Sequence, residues 1–154
     1  MKRLRVYVDT SVVSGCFDSE FAPWSNALVA DFRANRFVAV VSELVAVEAE
    51  VAPPTVQRKF EELLDIGAEL LPIDRDALDL ASEYSRHGIL PARFRNDLLH
   101  IAIATVGIVD VLMSWNFKHI VRLDKIRLYS AVNLESGYKP LQIYSPREVA
   151  SYEE

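Results

Sequence analysis

The chain has 154 residues, 51% of them hydrophobic and 25% charged, a balance that fits one folded domain over 1–154 with a proper core and excludes a disordered protein. Its formal net charge of −5 argues against broad, nonspecific nucleic-acid binding, which normally needs clustered Lys and Arg. That objection weakens where several acids are gathered in one metal-neutralised cleft, because the rest of the surface is then less acidic than the total suggests.

The opening MKRLRVYVDTSV meets an acid and hydroxyls after a few apolar residues, and no later stretch approaches the roughly 18–20 apolar residues of a membrane span. Neither a signal peptide nor a membrane segment is expected. Residues 4–8 form a nearly continuous apolar run, as do 37–41 and 111–113, and all three are rich in Val. Such runs suit strands buried on both faces of a parallel sheet. The single Cys16 can form neither an intramolecular disulfide nor a thiolate metal site. It reads as a small hydrophobe in a reducing compartment, hence a cytoplasmic protein.

Between the strands lie helical patterns. Residues 26–35 are amphipathic, Ser42 is placed to cap a helix through Val51, Pro53-Pro54 breaks it, and 56–66 resumes with a stop at Gly67. A fourth strand is predicted at 69–73, then a helix at 75–87, a turn at 88–91 and a strongly apolar helix at 96–106 that Gly107 can end. Further on, the pattern gives a helix at 118–123, a loop around 133–137 and a late strand at 141–144. Alternating strands and helices give an α/β protein, a three-layer α/β/α sandwich with a mainly parallel central sheet.

Ligand sites in such sheets collect at the carboxyl ends of the strands. Polar residues close each apolar run: Asp9-Thr10-Ser11, Ser42-Glu43 and Ser114-Trp115-Asn116. Asp9 alone suits a helix cap or turn as well as a site. Glu48 is more informative, because on a helix begun at Ser42 it falls between Leu44, Val45 and Val51, inside the apolar arc, where a carboxylate needs a cation or metal. Asp97 opens a helix that is apolar almost all round, and suits either a first-turn acid or a site. His100 on the same face suits a hydrogen-bonded core residue better than a ligand. The hypothesis is that folding brings Asp9, Glu48 and Asp97 within roughly a few ångströms, where they need a cation to stay ionised together. Oxygen ligands favour Mg²⁺ or Mn²⁺ over zinc.

Taken in order, the strand ending in Asp9-Thr10-Ser11, the Ser42-x5-Glu48 segment, Asp97-x-x-His100-Ile101-Ala102 and the strand followed by Ser114-Trp115-Asn116-Phe117 resemble the PIN-domain family. The resemblance covers nearly the whole chain and is strongest to the toxin ribonucleases of prokaryotic toxin–antitoxin pairs. It implies a PIN-like sandwich that hydrolyses RNA phosphodiester bonds with Mg²⁺ or Mn²⁺, leaving 5′-phosphate and 3′-hydroxyl ends. It also implies a small antitoxin partner and a homodimer. Asp9, Glu48 and Asp97 match the family's metal-site acids, whereas the slot of a further acid holds Asn116, a catalytic candidate whose carbonyl can ligate a metal or orient a water but brings no charge. Thr10 and Ser11 are placed to hydrogen-bond the acids or to cap a turn. Arg93, Arg95, Lys118 and His119 are candidate substrate contacts, and Trp115 suits a buried aromatic better than a base-stacking one. Asp110, ahead of its strand, reads as structural.

Two rivals stand beside this reading. A haloacid-dehalogenase-type phosphatase wants a second acid where Ser11 stands, and no phosphate-binding glycine loop is present. A PIN-fold binding protein, inactive through Asn116 and acting through oligomer or partner contacts, is the other.

Overall fold

The computed structural model describes residues 2–149. Five strands form one all-parallel sheet: β1 (Arg5–Val8), β2 (Val38–Ser42), β3 (Glu69–Leu71), β4 (Val111–Met113) and β5 (Gln142–Tyr144), in the order β3-β2-β1-β4-β5. The Val-rich runs became the three central strands because only there are both faces covered. Val6, Tyr7, Val40, Val41, Leu112 and Met113 are fully buried, while the edge strands expose Leu70 and Tyr144.

The helices are α1 (Thr10–Gly15), α2 (Ala22–Arg33), α3 (Glu43–Glu50), α4 (Pro54–Ile66), α5 (Arg75–Arg86), α6 (Arg95–Val106), α7 (Leu123–Glu135) and the short α8 (Pro146–Val149). From β1 the chain steps outward through β2 to β3, then returns across β1 to β4 and β5. Right-handed crossovers place the helices of the outward steps on one face and those of the return on the other. Accordingly α1, α2 and α4 pack together, and α5 packs on α6 and α7. Among the described residues no helix is long and apolar enough to cross a membrane.

Ser42 caps α3 through the Val45 amide at 3.3 Å, and Gly67 ends α4 at φ 112°, as the sequence predicts. The α6 helix is central, with Leu98, Ile101, Ala102 and Ala104 fully buried. Asp9, which by sequence suits a cap or a turn, caps helix α1, which follows it at once. Other elements differ. No helix forms at 118–123: the amides of Ile120 and Val121 both return to the Asn116 carbonyl, and the helix begins at Leu123. It runs through Asn133, which the polar 133–137 stretch disguised as a loop. Asn133 is buried, accepting from the Tyr84 hydroxyl and donating to Thr105 Oγ1 at 3.2 Å. Gly107 does follow α6, yet Ile108 is the residue with positive φ, 53°. Gly107 is there for closeness, since a Cβ would lie 2.6 Å from Leu71 Cδ1.

Candidate active site

The sheet reverses its direction of winding between β1 and β4, and the crevice outside the carboxyl ends of such strands is where open α/β sheets bind ligands. Asp9 leaves β1 there, its amide extending the ladder to Met113 O at 3.3 Å. Its Oδ1 accepts from Ser11 Oγ at 2.6 Å and the Val12 amide at 3.2 Å, and Oδ2 accepts from Ser114 Oγ at 2.6 Å. The two serines are themselves held, Ser11 Oγ accepting from the Trp115 amide and Ser114 Oγ from the Asn116 amide, each at 2.9 Å. Asp9 is 3% exposed, and no basic side chain forms an ion pair with it among the described residues. Burial pushes its carboxyl pKa up, outweighing the opposing pull of His100, the two hydroxyls and the Val12 amide.

Glu48 lies beside it, joined through the next residue: Thr10 Oγ1 donates to Glu48 Oε1 at 2.6 Å, and His100 Nε2 meets the same oxygen at 2.6 Å. Behind His100 runs a buried chain, Nδ1 to Tyr7 OH at 2.7 Å and Tyr7 OH to Ser42 Oγ at 2.8 Å. Ser42 Oγ already accepts from the Val45 amide. The Glu48 carboxylate can only accept, so Nε2 carries a proton; when the imidazole is neutral, Nδ1 then accepts from the Tyr7 hydroxyl, whose oxygen accepts from Ser42 Oγ. Burial alone would raise the Glu48 pKa, but the bonds from His100, Thr10 and Asn96 and the His100 charge outweigh it and leave it below the ordinary 4.5. The face is not the dry one that the apolar arc suggests: the Glu48 side chain is 28% exposed, and Val47 and Val51 are open to solvent. Helix α3 is short and ends at the Pro53 break, so its last turn lacks cover.

Asp97 stands in the first turn of α6, 25% exposed, where its Oδ2 accepts from His119 Nδ1 at 2.8 Å. Its Oδ1 meets no protein donor among the described residues. Asn116 Oδ1 accepts from the His119 amide at 3.0 Å, closing the turn after β4. His119 is buried against Asp97. Arg93, Arg95 and Lys118 are exposed. Trp115 is buried, stacked on Phe21 at 4.2 Å between ring centroids and donating to Ser25 Oγ at 2.8 Å. Asp110 is structural, accepting from the Arg5 amide at 2.7 Å. Cys16 is buried, which raises its thiol pKa to about 11. Ser42 and Ser114 were noted as strand-end residues without a role in the site, and Tyr7 was missed, its one signal being a hydroxyl inside an apolar run.

Among the described residues no three His, Cys, Asp or Glu side chains close around one metal position. The donor chemistry nevertheless fits a hard divalent cation. Mg²⁺ commonly takes one or two carboxylates and fills its octahedron with water and substrate phosphate. Asp9 is a buried anion supported by hydroxyls and an amide with no paired cation, an arrangement a metal ion would relieve.

The opposite shifts of Asp9 and Glu48 give a pH signature in the metal-free protein. Glu48, lowered on folding, contributes stability above 4.5 that is lost as pH falls through its folded value. Asp9, raised on folding, contributes a cost that is present at neutral pH and relieved as pH falls. Urea midpoints measured across acidic pH are expected to fall less steeply in Glu48→Gln than in the wild type, and more steeply in Asp9→Asn. Superimposable profiles would contradict both shifts.

No protein-family model matches the chain, and no curated protein matches it in sequence. Solved structures do match. The structure of VapBC2 from Rickettsia felis, bound to a DNA fragment from their promoter, aligns with TM-score 0.59 and 13% identity over 92% of this chain and 98% of that one. FitAB bound to an IR36 DNA fragment aligns with TM-score 0.60 and 13% identity over 96% and 99%. FitAcB from Neisseria gonorrhoeae aligns with TM-score 0.58 and 13% identity over 94% and 99%. Matched over nearly its whole length and theirs, with a parallel sheet between two helical layers, this chain has the PIN-like three-layer α/β/α fold.

Proposed function

We propose that this chain is a metal-dependent ribonuclease that hydrolyses RNA phosphodiester bonds at the crevice between β1 and β4, as the toxin of a toxin–antitoxin pair. The observation that carries the reading is the buried Asp9 at that switch point, held by hydroxyls and an amide with no ion-pair partner among the described residues, joined through Ser114 and Asn116 to His119 and Asp97, and through Thr10 to Glu48. The whole-length likeness to VapBC2 and FitAB supports it.

Asp9, Glu48 and Asp97 would hold Mg²⁺ or Mn²⁺. When bound, such an ion neutralises the scissile phosphate and sharpens a water nucleophile. Ser11, Ser114 and the Val12 amide fix the Asp9 carboxylate, so it needs no reorganisation when substrate arrives. Thr10 and His100 fix one oxygen of Glu48 and so aim the group that orients the attacking water. Asp97 offers its unbonded Oδ1. Arg93 and Arg95, just before Asp97 in the chain, are exposed and placed to take flanking phosphates of an RNA strand. A small antitoxin protein and a second copy of the chain are its proposed partners.

The test is cleavage of a labelled single-stranded RNA by the purified chain with Mg²⁺ or Mn²⁺. Cleavage is expected to stop on chelation and return on adding metal. RNA cut equally well in EDTA, or by Asp97→Asn, would remove this assignment. Growth arrest on expression, relieved by a small protein encoded beside it, tests the toxin role.

A further inference from the structure

The turn after β4 raises a separate question, because it carries an amide where the resemblance leads one to expect an acid. Asn116 uses its Oδ1 on the His119 amide at 3.0 Å, and its own amide bonds Ser114 Oγ at 2.9 Å. Its side-chain oxygen is thus committed to shaping the turn. What the turn presents is the His119 ring. That residue is held on three sides: its amide by Asn116, its carbonyl by the Tyr129 hydroxyl at 2.8 Å, and its ring by Phe94, with centroids 4.0 Å apart. Among the described residues the ring's directed polar contact is Nδ1 on Asp97 Oδ2 at 2.8 Å. A carboxylate only accepts, so Nδ1 carries the proton and the bond orients Asp97 with Oδ1 outward.

We infer that His119 is a positioning residue for Asp97, and that Asn116 serves the site through His119 by closing the turn, not as a cation ligand. The inference rests on reading Asp97 as a carboxylate that binds the metal. It accounts for a site that works without the acid missing at 116: the geometry there is supplied by a capped turn and a ring N–H, and the charge by the three remaining carboxylates. Hydrogen-bond partners behind metal ligands set ligand orientation, and losing one commonly weakens metal binding about 10–100-fold.

The experiment titrates the metal-free chain with Mn²⁺ and counts free ion by electron paramagnetic resonance. His119→Phe keeps a ring against Phe94 but removes the donor, and is expected to weaken Mn²⁺ binding about 10–100-fold. His119→Asn returns an N–H donor near the place of Nδ1 and is expected to recover much of the loss, which a merely structural role would not predict. Wild-type affinity in His119→Phe, or no recovery in His119→Asn, would overturn the inference while leaving the function standing. A wild type that binds no Mn²⁺ overturns both. Should the variants fail to fold, long-range ¹H–¹⁵N spectra of wild-type His119 decide the matter. Nδ1 is expected to stay protonated with and without saturating Mg²⁺, and loss of that proton on metal binding would overturn it.

Discussion

Asp9→Asn is expected to cut metal-dependent RNA cleavage by about 10²–10³-fold while leaving the metal-free protein as stable as the wild type or more so. Two separable roles meet in this side chain. As a cap for α1 its Oδ1 accepts from the Val12 amide, and asparagine caps a helix as well as aspartate does. As a buried carboxylate with no ion-pair partner among the described residues it is costly to keep charged, burial pushing its pKa up, and the amide removes that cost. Each kcal/mol relieved raises Tm by about 2–4 °C in a domain of this size. The metal-loaded comparison runs the other way. Saturating Mg²⁺ should raise the wild-type Tm, by about 2.7 kcal/mol of linkage at a hundred times Kd, and move the variant little. Turnover should fall by about 10²–10³-fold, the scale for losing one preorganised electrostatic contact to a transition state. A variant that cleaves normally, or gains as much stability from Mg²⁺ as the wild type, would remove Asp9 from the site.

Tyr7→Phe is expected to show the largest stability loss of any single-atom deletion around the site. The phenol oxygen joins Ser42 to His100 within the core, and its pKa is pushed well above the ordinary value, by burial first and then by the nearby Asp9 and Glu48 charges, so it stays a donor at every working pH. Deleting it orphans a buried hydroxyl and a buried ring nitrogen with hardly any change in volume, at about 1–3 kcal/mol. It also frees the His100 ring from the tautomer that aims Nε2–H at Glu48. Thermal melts should show a fall of about 2–4 °C per kcal/mol. Combined with Ser42→Ala the loss should be less than additive, since either deletion already breaks the same chain. Strict additivity would mean that the relay is not a unit.

These expectations begin from features of uneven legibility. The central strands could be read because a sheet covered on both faces admits only apolar residues, and Val6, Val40 and Leu112 sit where that rule places them. Asp9, Glu48 and Asp97 stood out as acids bordering apolar segments. What the linear pattern does not carry is pairing. Nothing near Glu48 in sequence shows that His100 will meet it, because the contact depends on how α3 and α6 dock across β1. Asn133 was misread for the same reason: its burial is set by Tyr84 and Thr105, and a side chain satisfied by distant partners looks in isolation like a loop residue. Asp9 suited a cap or a turn, and the choice between them stayed open because a six-residue helix is too short to show a period.

The order of the strands has a consequence for when the protein acquires its chemistry. β1 is made first but lies in the middle of the sheet, and its acid waits for a hydroxyl 105 residues further along the chain. On a ribosome adding about 5–20 residues per second, Asp9 and Glu48 emerge early, but the crevice has only one wall until β4 and Ser114 follow. An N-terminal fragment, whether a stalled nascent chain or a proteolytic product, therefore lacks one wall of the crevice, and the proposed nuclease activity would switch on late, with the closing of the sheet.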